Sequence, residues 1–147
     1  HAYSNAPYFE EHLLFLENTF RTGSVRLIDF NLMIMRHLML NLGFDTEFRL
    51  LSELNIQAAA DQLLIEICRF FNASGYLAPA AAGKYLTAHL FEKAGIELLY
   101  VKPRSPVYPQ LWNEFIPDLS TFDLLFNCGP KSLDILLASS PKFRKQP

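Results

Sequence analysis

The sequence predicts an α/β fold: a small three-stranded, mainly parallel sheet with helices packed around it. Three observations carry that reading. Short runs rich in β-branched, aromatic and leucine residues stand at 44–51, 76–78 and 96–102. Helix-patterned stretches at 58–71 and 81–94 separate them, and the links between are short. Strands alternating with helices in this way are the signature of βαβ units, whose crossovers are right-handed in nearly all known cases.

The elements follow in order. After an aromatic opening interrupted by Pro7, Leu13, Leu16 and Phe20 recur at helix spacing, which predicts a helix over 9–20 with Gly23 as its stop. Ser24 is placed to cap a second helix over 25–42, ended by Gly43. At about 100° per residue, Arg26, Asp29, Arg36, His37 and Asn41 gather on one stripe of it. A membrane span would need roughly 20 predominantly apolar residues without such a stripe, so the helix reads as amphipathic and no membrane insertion is expected. Asn31 falls opposite the stripe, among Leu27, Leu38 and Leu42. There it is either a tie to the backbone or a side chain reaching a ligand.

Next come the strand at 44–51 and a helix over 58–71 with Ala60, Leu63, Leu64, Ile67 and Phe71 on its apolar face. Ser74-Gly75 turns into the strand at 76–78, and a helix over 81–94 closes at Gly95. The strand at 96–102 then runs into a loop holding Pro103, Pro106 and Pro109, which cannot enter a sheet interior. In open α/β sheets ligands gather where strands end, so this loop stands where sites usually form.

Composition sets the outer limits. The 147 residues suit a single domain, 1–147, large enough to bury a core. Half the residues are apolar and 19% are charged, which excludes a disordered chain. A net charge of -2 gives no general attraction to nucleic acid, and none is expected as partner. The basic tail at 142–145 reads as a solvated end. Cys68 and Cys128 have no metal-ligand spacing and are expected to be reduced thiols in a cytoplasmic setting.

The densest chemistry lies at 108–129. Ser120 is placed as a helix N-cap, with Asp123 favouring the positive helix end and answering as a short-armed capping box. Phe122, Leu125 and Phe126 bury the helix, and Gly129-Pro130 ends it. Capping alone accounts for Ser120, Asp123, Gly129 and Pro130. It leaves the company of Tyr108, Gln110, Asn113, Glu114, Asp118 and Asn127 unexplained. Amides and carboxylates gathered at one helix start can orient a polar substrate, with Asp118 or Asp123 as general base. No phosphate-binding glycine loop, dinucleotide fingerprint, zinc-protease helix or nucleophile elbow occurs. No metal ion and no cofactor is expected. His12, His37 and His89 each stand alone, without a motif partner for a triad.

The words YPQLW, FIPDLSTFDLLFNCGPKSLDIL, GYLAP, KYL and AGIELLY, with Ser52-Glu53-Leu54 and the opening AYSNAPYF, resemble the C-terminal two-thirds of the WbqC-like family. The resemblance covers nearly the whole chain and is most specific over 118–129. Such relatives usually carry a further N-terminal segment, so the chain is expected to be a fragment of a longer protein. It departs from the family where Ala78-Pro79-Ala80-Ala81-Ala82-Gly83 replaces a turn with Ser-Gly and further small residues. The resemblance implies a role in O-antigen or related surface-glycan biosynthesis, as a transferase moving an acyl or aminoacyl group to an amino sugar or related amine. Its substrate would be a small molecule such as a nucleotide-activated sugar. Tyr108, Gln110, Ser120, Asn127, Tyr76 and Asn31 would bind it, and Asp118 and Asp123 would act on it. The other reading is a non-catalytic accessory domain that docks on a partner enzyme, with Tyr3, Tyr8 and Trp112 as anchors.

Overall fold

In the computed structural model, residues 2–21, 23, 26–112, 114–140 and the backbone of 144–145 are described. The chain divides into one unit of residues 1–47 and 105–139 and another of residues 48–104 and 140–147.

The first unit is helical. Helix α1 (Phe9–Arg21) has Glu10 and Glu11 in its first turn and Arg21 in its last, as the helix dipole favours. Helix α2 (Leu27–Leu42) ends at Gly43, whose φ of 71° lies in the left-handed region. The N–H groups of Gly43 and Phe44 return to the carbonyls of Leu40 and Met39, which satisfies two orphan carbonyls of the last turn. The expected cap at Ser24 lies outside the described residues. Helices α5 (Thr121–Cys128) and α6 (Ser132–Ser139) complete the unit, joined by a 3-10 turn (Gly129–Lys131). Asp123, Leu124, Leu125, Phe126 and Cys128 of α5 are all buried. Burial all round marks a helix in the middle of its unit rather than on its surface. The aromatic opening closes over it: Tyr3 and Phe9 meet Phe126 edge-on with ring centroids 5.1 and 5.2 Å apart. The Tyr8 N–H also bonds the Phe126 carbonyl.

The second unit holds the sheet. Helix α3 (Ala60–Phe70) is followed by β1 (Gly75–Pro79), a 3-10 turn (Ala80–Lys84), α4 (Ala88–Lys93) and β2 (Glu97–Val101). Strands β1 and β2 pair in parallel from Gly75 opposite Glu97 to Pro79 opposite Val101. Ile65, Cys68, Phe91 and Ile96 form the core under them. Phe91 is fully buried, so truncating it to alanine is expected to cost about 3–5 kcal/mol.

Three expectations need correcting. The segment at 44–51 makes no strand; it is irregular and ends in a 3-10 turn (Leu51–Glu53). Residues 44–47 are exposed, and a strand without a neighbour to take its hydrogen bonds has nothing to hold it. The parallel sheet therefore has two strands. A two-residue segment of the tail, β3 (Arg144–Lys145), pairs antiparallel with Leu99 and Tyr100 of β2. The helix expected over 81–94 is broken, because Asp61 of α3 accepts the Thr87 N–H and starts α4 there. The buried residues of α3 are Ile65 and Cys68, while Ala60 and Phe71 are exposed. Both cysteines are buried free thiols.

Candidate functional site

The loop leading into α5 and the first turn of that helix bring three of the sequence-predicted residues together. Asp123 is only 4% exposed. Its Oδ2 accepts the Tyr108 hydroxyl at 2.7 Å and the Gln110 amide at 3.3 Å. The Tyr3 ring, packed on Phe126 of the same helix, lies near this carboxylate.

Local bonds fix the arrangement. Gln110 grips the backbone of Ile116 at both ends of its amide, donating to the carbonyl at 2.9 Å and accepting the N–H at 2.8 Å. That grip closes the loop over residues 110–116 and leaves the same amide nitrogen facing Asp123. Ser120 caps α5 as expected, although its Oγ accepts from Phe122 N–H, at 3.3 Å. The Asp123 N–H bonds the Ser120 carbonyl instead. Its side chain is thus free of capping and turns to Tyr108 and Gln110.

Around this carboxylate lies a cavity of about 190 Å³. Asp123, Gln110 and Glu114 supply its polar lining, and Leu111, Trp112, Ile116 and Leu119 its apolar walls. Tyr3 closes one side. The volume is below the roughly 300 Å³ at which pockets for drug-sized ligands begin, so one ring-sized group fits and a whole nucleotide sugar does not.

Burial first, then the hydrogen bond to Asp123, pushes the Tyr108 phenol up to about 12, against a smaller opposing pull from Gln110. Burial, and then the nearby charge of Asp123, raises Tyr3 as well. Both phenols therefore stay protonated and act as donors near neutral pH. Burial, and then the charge of Asp123, raises the Cys128 thiol, which makes it a poor nucleophile.

The remaining candidates lie elsewhere. Asp118 is exposed with φ at 60°, accepts a hydrogen bond from Ser105, and does not line the cavity. Asn127 donates to the Asp123 carbonyl at 2.8 Å along α5. Asn31 is exposed on α2 rather than buried among leucines. Tyr76 belongs to the second unit, where its ring stacks on Phe91 at 5.8 Å. Asn113 lies outside the described residues. Among the described residues no three His, Cys, Asp or Glu side chains converge as a metal site would require, and no helix is long and apolar enough to cross a membrane.

The sequence reading missed two features. Tyr3 and Trp112 were read as interface aromatics but line the cavity, and no spacing ties them to Asp123. His12 and His37 do not stand alone: His12 Nδ1 lies 2.9 Å from His37 Nε2. His12 is 2% exposed, and His37 stacks flat on Phe15 at 3.6 Å. Phe122 and Phe126 of α5 complete the surround. Burial lowers both imidazoles below the ordinary histidine range; Glu11 opposes this at His12, and His12 adds to it at His37.

A sequence model of the WbqC-like protein family matches residues 1–135. Among curated proteins the chain is similar to the uncharacterized protein Rv1507c of Mycobacterium tuberculosis (strain ATCC 25618 / H37Rv), with 27% identity over 112 residues. That match covers 72% of this chain and 48% of the relative, so the chain spans about half the length of the protein it matches. No solved structure matches the chain significantly.

Proposed function

The chain belongs to the WbqC-like protein family, and on that premise we propose that it serves a cytoplasmic biosynthetic transferase. The reaction moves an acyl or aminoacyl group onto the nitrogen of an amino sugar or related amine, in the assembly of O-antigen or a related surface glycan. The observation that supports this reading is Asp123: a buried carboxylate, held by Tyr108 and Gln110, facing a ring-sized cavity.

The acceptor nitrogen sits against Asp123, with its ring between Trp112 and the aliphatic wall. The nitrogen–acyl bond forms as the acyl carbon's bond to its leaving group breaks, and the leaving group departs with that electron pair. Asp123 takes the proton that the nitrogen sheds, a general-base role of the kind that typically contributes about 10²–10⁴-fold. Tyr108 and Gln110 are positioning residues that fix the carboxylate. Asp118 braces the loop through Ser105.

The test is direct. The protein is incubated with amino sugars and activated acyl donors, and products are analysed by mass spectrometry. An amide formed on the sugar nitrogen supports the reading, and its absence across the panel contradicts it. A second reading, an accessory domain docking on a glycan-biosynthesis enzyme, draws on the exposed side chains of Trp112, Phe115 and Ile116. Capture of such an enzyme, lost in Trp112→Ala, would favour it.

A further inference from the structure

We propose that the cavity beside Asp123 selects its ligand as a cation: a primary ammonium carried on one apolar-faced ring, with the ammonium against Asp123 and the ring against Trp112. This deepens, and rests on, the reading of the cavity as the acceptor site. The bound ammonium first passes one proton to Asp123 and so becomes the nucleophile. The second proton, released as the nitrogen–acyl bond forms, departs with the leaving group. Tyr108 and Gln110 both bond the Asp123 carboxylate, and both are neutral donors. They replace part of its hydration without cancelling its charge. The ion pairs of Arg26 with Asp29 and of Arg69 with Glu66 do not involve Asp123.

An unpaired buried carboxylate is costly. Its place in the first turn of α5 offsets part of that cost, which makes the charge tolerable but leaves the cavity negative. Glu114 adds a second carboxylate to the lining, and among the described residues no lysine, arginine or histidine lines it. An anion, including the phosphate of a nucleotide, is therefore repelled, and the nucleotide part of an activated sugar must lie outside this cavity. An ammonium gains at both ends: a charge-assisted hydrogen bond to Asp123 and the face of the Trp112 indole.

Trp112 is the one tryptophan in the sequence, so intrinsic fluorescence reports this cavity. The protein is titrated with cyclohexylamine and cyclohexanol near neutral pH at physiological salt, then with glucosamine and glucose, and finally with inorganic phosphate. The expected result is a saturable change with both amines, each bound about tenfold or more tighter than its neutral partner, in line with a hydrogen bond to a charged group. Asp123→Asn is expected to erase that preference. If this variant does not fold, Glu114→Gln, an exposed change, is expected to reduce the preference severalfold. Equal affinity for alcohol and amine, tighter binding of phosphate, or no saturable response overturns the proposal. Amine binding without any amide product would sink the transferase reading and leave this one standing; amide production by a cavity indifferent to charge would do the reverse.

Discussion

Tyr108 donates its hydroxyl to the Asp123 carboxylate across 2.7 Å, with both side chains buried. One bond thus joins the proline-rich loop to the helix that follows it, and it fixes where the carboxylate points. Tyr108→Phe removes the donor and leaves the charge in place. Because Gln110 remains, the loss is expected near the low end of about 1.5–3 kcal/mol for bonds to charged groups. Urea denaturation measures it; an unchanged midpoint would contradict the assignment.

The imidazole pair makes stability depend on pH. Both folded values lie below the ordinary one of about 6.5, so the unfolded chain binds protons first as pH falls. The pair's contribution is complete above about 6.5 and is lost as pH drops from there through the folded values. Charging both rings would set two cations against each other across 2.9 Å. Denaturation midpoints of the wild type are expected to fall over this window more steeply than those of a His12→Phe/His37→Phe double variant. Parallel profiles would refute it.

Gly129 ends α5 at φ 48° and ψ -125°, a conformation that L side chains rarely adopt. A Cβ there would stand 2.5 Å from the Tyr8 ring, and Tyr8 is pinned by its backbone bond to Phe126. Gly129→Ala is expected to cost at least ~2 kcal/mol from strain and overpacking together. Repeating it in a Tyr8→Ala background should recover about 1 kcal/mol of that cost. A cost under 0.5 kcal/mol, read as about zero for a substitution of this kind, would contradict the geometry.

Trp112 is 65% exposed at the cavity. Trp112→Ala is expected to change stability by no more than about 0.5 kcal/mol while weakening amine binding severalfold by calorimetry. Unchanged binding would remove the indole from the site.

How much of this was legible in the sequence differs by element. Helices α1, α2 and α5 were, because leucine and phenylalanine spacing, Gly43 and Ser120 state them locally, whereas α6 was not. The strands β1 and β2 were also legible, each bounded by turn residues. The segment at 44–51 misled, since a short run of β-branched, aromatic and leucine residues makes a strand only if a neighbour exists. In the site, Asp123, Tyr108 and Gln110 were found because they crowd one short stretch. Tyr3 and the histidine pair were not, because packing of α1 and α2 on α5 brings them together over separations that no motif encodes. Asn31 was misplaced for a related reason: α2 is apolar on most sides, so periodicity alone does not say which side is covered.

The proposed reaction makes Asp123, and not Asp118, the working carboxylate. Asparagine suits the left-handed φ of Asp118 and keeps an acceptor for Ser105, so Asp118→Asn is a matched control. The decisive measurement is kcat/KM for amide formation by Asp123→Asn and Asp118→Asn side by side, both checked for folding. A loss of about 10²-fold or more in the first, with the second near wild type, is the predicted result. The reverse order, or equal activity in both, would contradict it.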